Sequence, residues 1–311
     1  MLLASPRGYC AGVERAVDTV ERALRLYGRP VFVRKQIVHN SHVVRELEAL
    51  GAVFVDSVDD VPEGATVVFS AHGVAPAVHA AAEARRLTTI DATCPLVTKV
   101  HTQARRYAQA GYSIVFIGHR GHEEVEGTMG EAPDAIVLVE SAADAEALEL
   151  PAGRRLAYIT QTTLSVDETH EIVDVLKRRF PRIEGPAKED ICYATSNRQW
   201  AVKELLDDVD LLLVIGSSNS SNSKRLVEVA RAAGVSSFLI DDANQIEPAW
   251  IEGVETVGVT SGASAPERLV QDVCDWFRAR GVSDVSEHRS AHEDVVFRVP
   301  VELRRAERSA A

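Results

Sequence analysis

The feature that most constrains this chain is a cysteine that recurs at the start of a helical pattern. After Cys10, apolar residues fall at Val13, Ala16, Val17, Val20 and Leu24, a stripe that ends near Gly28, and the run Val31, Phe32, Val33 follows. After Cys94 the stripe is Val97, Val100, Ala104, Tyr107 and Ala108, stopped by Gly111 and followed by the apolar residues 114–117. After Cys192 it is Val202, Leu205, Leu206 and Val209, with Leu211–Ile215 next. The cysteines lie 84 and 98 residues apart, which predicts one cysteine per unit of roughly 90 residues.

Short apolar runs alternating with amphipathic helices predict an α/β fold, with three pseudo-symmetric units built on largely parallel sheets around a common centre. The expected division is residues 1–95 with Cys10, 96–189 with Cys94 at its entrance, and 190–282 with Cys192. Residues 181–190, with Gly185 and two prolines, read as the least structured connection. Residues 283–311 read as a C-terminal strand, placed at 295–301, before a mobile polar tail. At 311 residues the chain is longer than one core usually organises.

Composition narrows the function. With 46% hydrophobic and 26% charged residues the chain can bury enough surface to fold, and a net charge of −12 argues against nucleic-acid binding. No apolar run approaches the roughly 18–20 residues of a membrane span, and residues 1–4 are too short for the apolar part of a signal peptide. The expected compartment is the cytoplasm. In that reducing setting Cys10, Cys94, Cys192 and Cys274 are expected as buried, metal-bound or catalytic thiols rather than disulfides.

The first three lie at loop-to-helix junctions, in the contexts Arg-Gly-Tyr-Cys10, Asp-Ala-Thr-Cys94-Pro and Asp-Ile-Cys192, where the helix dipole favours thiolate. Three converging thiolates hold zinc or an iron–sulfur cluster, and the lack of any C-x-x-C pair argues against a zinc ribbon. Cys274 differs: Val270, Val273, Cys274 and Phe277 share one helical face, a packing position.

Polar residues gather in loops that follow apolar runs. These are His39 with Asn40, His72, His122 two residues before Glu124, and Ser220-Ser221-Asn222-Ser223, whose hydroxyls and N–H groups suit an anion, or else form a helix cap in a solvated turn. His42, His79, His101 and His170 read as solvated or capping histidines. Neither the P-loop nor the G-x-G-x-x-G dinucleotide pattern is present.

These motifs resemble those of the 4-hydroxy-3-methylbut-2-enyl diphosphate reductases nearly end to end. The match covers P-R-G-Y-C-A-G-V at 6–13, V-H-N at 38–40, S-A-H-G-V at 70–74, D-A-T-C-P-L-V-T-K-V-H at 91–101 and H-x-E-V-x-G-T at 122–128. It continues with T-Q-T-T-L-S at 160–165, residues 192–198, S-S-N-S at 220–223 and G-A-S-A-P at 262–266. The resemblance implies a [4Fe–4S] cluster on Cys10, Cys94 and Cys192, with an open iron for the substrate oxygen. It implies reductive removal of the allylic hydroxyl of a C5 diphosphate, with two electrons and two protons, giving isopentenyl and dimethylallyl diphosphates. By the same resemblance His39, His72, His122, Ser220, Ser221, Asn222 and Ser264 bind the diphosphate, Thr162 orients the hydroxyl, Glu124 supplies the proton, and a ferredoxin or flavodoxin supplies electrons. Glu123 stands where many relatives carry proline, and reads as a solvated carboxylate or a second charge that raises the pKa of Glu124. The competing readings are a quinolinate-synthase-like dehydratase, against which T-Q-T-T and S-S-N-S argue, and a cluster-bearing redox sensor, which needs no anion site.

Overall fold

The computed structural model describes residues 1–151 and 153–310. Among them the strands form three sheets in which every registered pair is parallel. One has four strands, in the order Ala52–Val55, Val31–Arg34, Thr66–Phe69, Thr88–Asp91. The second has three, in the order Ile136–Val139, Ser113–Ile117, Leu156–Thr160. The third has five, in the order Ser236–Ile240, Leu211–Ile215, Val257–Ser261, Leu2–Ser5, Ser286–Arg289.

One winding is common to all three. Counting the five-stranded sheet from Leu211–Ile215, the first strand lies between the next two in sequence: the second pairs on one side and the third crosses to the other. Each sheet therefore reverses direction between its first and third strands, and loops at the carboxyl ends beside such a reversal are where open α/β sheets bind ligands. A further segment then extends the third strand's side and leads to a cysteine. It is Thr88–Asp91 before Cys94, the single bridge of Glu184 to Ala157 before Cys192, and Leu2–Ser5 before Cys10. Leu2–Ser5 thus joins the sheet of residues 211–289, outside the division by sequence order.

The strands Leu211–Ile215 and Ser113–Ile117 are covered on both faces, which explains their nearly continuous apolar runs. In Leu211–Ile215, Leu211, Leu213 and Ile215 pack with Val259, Val270, Val273 and Cys274, whereas Leu212 and Val214 turn to Val202, Leu226 and Ala230. In Ser113–Ile117, Ile114 and Phe116 pack with Val100, Ala104 and Ile159, and Val115 and Ile117 with Ile172 and Leu176.

The chain divides into two compact units. One comprises Met1–Glu14, Val38–Glu46 and Tyr193–Val296 and holds the five-stranded sheet; the other comprises Arg15–Ile37, Leu47–Cys192 and Phe297 onward and holds the other two. The strand expected at 295–301 is not formed. Val296 is 85% exposed, and Pro300, which lacks an N–H for a ladder, precedes the helix Val301–Ala310, where a polar tail was expected. The strand of this region is Ser286–Arg289, beside Leu2–Ser5. Among the described residues no helix is long and apolar enough to cross a membrane.

Candidate active site

Each of the three junction cysteines immediately precedes a helix: Cys10 before Ala11–Tyr27, Cys94 before Pro95–Gln109, and Cys192 before Tyr193–Leu205. All three are half-buried, and each donates its backbone N–H to a carbonyl in the loop after the adjoining strand: Cys10 to Ala263 at 3.2 Å, Cys94 to Ala71 at 2.9 Å and Cys192 to Thr162 at 3.0 Å. The cysteine loops are thereby tied to the loops that carry Ser264, His72 and Thr162. Cys274 is 1% exposed in the core, on the helix Glu267–Arg278, as its spacing indicated.

Burial pushes the Cys10 thiol up, while the Arg198 guanidinium and the N–H groups of Val13 and Gly12 favour its thiolate. Gly8, two residues earlier, adopts φ +71°, a conformation that favours glycine, and its N–H donates to Ser261 Oγ at 2.8 Å.

The polar loops of this first unit interlock. Ser220 caps the helix Ser221–Ala232 and accepts from Ser223 N–H, and Ser220, Ser221 and Asn222 are all buried, so the turn is not solvated. A side chain at Gly216 or Gly262 would collide with Ser223 Oγ, so both glycines let the two loops close on this hydroxyl. Asn222 Oδ1 accepts from Ala263 N–H at 2.9 Å and its Nδ2 donates to Thr195 Oγ1 at 3.3 Å. Ser264 Oγ donates to the His39 carbonyl at 2.9 Å, and Asn219 Nδ2 lies 3.3 Å from His39 Nδ1. His39, Ser220, Ser221, Asn222 and Ser264 are thus in one loop cluster of hydrogen-bonding groups. Ser217 and Asp241, which the sequence did not single out, extend it: Ser217 Oγ donates to Asp241 Oδ1 at 2.6 Å and accepts from Ser41 N–H.

The second unit gathers the titratable groups. Glu124 lies in the first turn of the helix Glu123–Met129 and is 1% exposed. Its Oε1 accepts from Thr162 N–H at 2.7 Å and its Oε2 from Thr162 Oγ1 at 3.1 Å. Its own N–H donates to His122 Nδ1 at 3.1 Å, which places the His122 ring proton on Nε2. The His122 and His72 rings meet edge to face at 5.7 Å. Burial pushes the Glu124 carboxyl up to about 7 against the Thr162 hydrogen bonds and His72, with the Asp190 charge adding to the rise. A carboxyl so placed is an acid near neutral pH.

The three adjacent glutamates separate by environment. Glu126 is exposed, and Glu123, far from being solvated, meets His72 Nδ1 at 3.0 Å. Burial is the main cause of the raised Glu124 carboxyl, and the Asp190 carboxylate adds to it. Gln161, present in the T-Q-T-T-L-S motif without an assigned role, is fully buried; its Oε1 accepts from His119 N–H and its Nε2 donates to Thr163 Oγ1, joining the loops on either side of Glu124. His42, His79, His101 and His170 contact Asp242, Phe69, Glu131 and Glu189 respectively.

Fold and loops together define an α/β protein in which each compact unit carries junction cysteines and buried polar side chains in the loops at the carboxyl ends of its strands. The chain belongs to the LytB protein family, whose sequence model matches residues 1–278. It is 60% identical over 306 residues to the 4-hydroxy-3-methylbut-2-enyl diphosphate reductase of Acidothermus cellulolyticus, covering 98% of this chain and 90% of that one. It is 59% identical over 307 residues to the protein of that name from Mycolicibacterium paratuberculosis, covering 98% and 92%. Among solved structures, the E-1-hydroxy-2-methyl-but-2-enyl-4-diphosphate reductase of Plasmodium falciparum superimposes with a TM-score of 0.96 at 38% identity, covering 100% of this chain and 98% of that one.

Proposed function

We infer that this chain reductively dehydroxylates (E)-4-hydroxy-3-methylbut-2-enyl diphosphate: the allylic C–O bond breaks, two electrons and two protons are consumed, and isopentenyl or dimethylallyl diphosphate leaves with one water. The names of the relatives support the reaction. The observation that carries the acid assignment is the buried Glu124 carboxyl held by both donors of Thr162.

We propose that Cys10, Cys94 and Cys192 hold a [4Fe–4S] cluster. The fit rests on the donor set: three half-buried thiols at helix starts, each with its backbone N–H fixed, and a fourth cysteine withdrawn into the core. Such a cluster, when bound, supplies the electrons and an open coordination position. Glu124 holds a proton that the departing hydroxyl takes as it becomes water, and Thr162 orients that hydroxyl. His39, Ser220, Ser221, Asn222 and Ser264, with His72 and His122, bind the diphosphate through a set of hydrogen-bond donors in which hydroxyls and amides dominate. His122 serves with Nε2–H, since its Nδ1 is committed to Glu124 N–H. The electron donor is a ferredoxin or flavodoxin and the setting is the cytoplasm. Anaerobic turnover with the C5 diphosphate and a low-potential reductant tests the reading: the C5 products are expected, and a cluster-loaded protein that leaves the hydroxyl in place would overturn it.

A further inference from the structure

We propose that Arg15, Lys99 and Arg198 are positioning residues, each holding the loop of one cysteine from the helix that begins at another. The inference rests on the reading of Cys10, Cys94 and Cys192 as cluster ligands. The cations stand five residues after Cys10, five after Cys94 and six after Cys192, one turn or so into each helix. None of them serves its own cysteine's loop.

Arg15 Nη1 donates to the carbonyls of Ala92 at 2.8 Å and Thr93 at 3.0 Å, its Nη2 to Asp91 at 3.4 Å, and its Nε to Arg298 at 2.8 Å. Three of these four acceptors are the residues immediately before Cys94. Lys99 Nζ donates to the carbonyls of Lys188 at 2.7 Å and Glu189 at 2.8 Å and pairs with Asp190 Oδ1 at 3.0 Å, in the segment that leads into Cys192. Arg198, fully buried, donates through Nη2 to the Gly8 carbonyl at 2.7 Å, two residues before Cys10. Its Nη1 is held by the Ala194 carbonyl at 3.0 Å and by Glu293 Oε1 at 3.0 Å.

A loop that leads into a helix carries carbonyls without ladder partners, and those at Gly8 and at 91–93, buried or partly so, need a donor; at 188–190 the buried group that Lys99 meets is the Asp190 carboxylate. A guanidinium or ammonium can satisfy two or three acceptors at once, as Arg15 and Lys99 do, and also adds positive charge beside a site that collects thiolates. The order is cyclic. The Cys10 helix holds the Cys94 loop, the Cys94 helix holds the Cys192 loop, and the Cys192 helix holds the Cys10 loop. Each contact lies within one compact unit. A ligand loop is therefore ordered by a residue remote from it in sequence, and a defect introduced at one helix should surface at the next cysteine.

The test uses Arg15→Met, Lys99→Met and Arg198→Met, with Arg15→Lys, Lys99→Arg and Arg198→Lys as conservative partners. Hydrogen exchange of the cysteine amides is followed in the full chain without metal, and iron, sulfide and midpoint potential after anaerobic reconstitution. Arg15→Met is expected to speed exchange at least tenfold at Cys94 alone, Lys99→Met at Cys192 alone and Arg198→Met at Cys10 alone, with at least half of the protection restored in the conservative variants. Reconstituted Met variants are expected to hold less than half of the wild-type iron and to show a more negative midpoint potential, because a cation has been removed. Exchange that rises equally at all three cysteines, or at the variant's own helix start, would overturn the proposal, as would unchanged iron content and potential. Should Arg198→Met not fold, Arg198→Lys and the other two sites decide the outcome. A wild-type chain that binds no iron would refute the cluster reading, while the exchange pattern would still judge the three clamps.

Discussion

Thr162 donates both its backbone N–H and its hydroxyl to the two oxygens of Glu124, while its carbonyl accepts the N–H of Cys192. One residue thus fixes the acid and ties it to a cysteine loop. Burial raises the carboxyl and the Thr162 bonds hold it partly down, so its value near 7 is a balance that substitution can move.

Glu124→Gln keeps the shape and the ability to accept from Thr162 but removes the proton. Iron content and substrate binding are expected to stay at wild-type levels, with turnover down at least 10²- to 10⁴-fold, the range typical of a general acid. Glu126→Gln, at an exposed position, is expected to retain most activity, and Glu123→Gln a substantial part. Normal turnover in Glu124→Gln beside a dead Glu123→Gln would move the acid to Glu123.

The pH profile follows from the same group. A carboxyl raised from 4.5 to about 7 is protonated in the fold up to that pH, so kcat/KM is expected to be full below it and to fall tenfold per unit above. For stability the sign is the same: the contribution is fully present below 4.5 and lost as pH rises through about 7. Thr162→Val removes one bond that favours the carboxylate, so the descending limb is expected at higher pH, with a lower plateau because hydroxyl orientation is lost. A limb that moves to lower pH would contradict this balance.

Replacing Cys10, Cys94 or Cys192 with serine is expected to abolish a stable four-iron cluster and turnover, measured as iron and sulfide per chain. Cys274→Ser should leave both intact and cost about 1–3 kcal/mol in stability, since it buries a hydroxyl among Leu3, Val259 and Phe277. Cluster loss in Cys274→Ser with retention in Cys192→Ser would reverse the ligand assignment.

Removal of the Ser220 or Ser264 hydroxyl is expected to raise KM with little change in kcat, because a diphosphate anchor is remote from the reacting C–O bond. Asn222→Ala should raise KM further and also lower the melting temperature, because its amide joins Ala263 to Thr195. Inhibition by inorganic diphosphate is expected to weaken in step. Unchanged KM and unchanged inhibition in all three variants would remove this loop from the site.

Much of this was legible because it is local. The apolar run Leu211–Ile215 announces a strand covered on both faces, and the cysteine contexts announce helix starts. What is not local was hidden. Leu2–Ser5 pairs with a strand some 250 residues away, and periodicity names no partner. Ser286–Arg289 is polar throughout and becomes a strand only because Leu2–Ser5 offers it an edge, whereas the valine-rich residues 295–301 find none. Among the three glutamates, motif position marked Glu124, but only burial and partners separate a raised acid from one engaged with His72. The clamps left a trace, a cation five or six residues after each cysteine, but not the loop that each one holds.

Exchange of the allylic hydroxyl for hydrogen is read out by single-turnover product analysis in D₂O. Anaerobically reconstituted protein carrying four irons per chain is mixed with the C5 diphosphate in excess low-potential reductant, which supplies both electrons through the cluster, and quenched. The expected result is isopentenyl and dimethylallyl diphosphates carrying one deuterium on carbon, with loss of the hydroxyl oxygen, and a product yield that collapses in Glu124→Gln at unchanged substrate binding. Recovery of the intact hydroxylated diphosphate from fully loaded, reduced wild-type protein would contradict it.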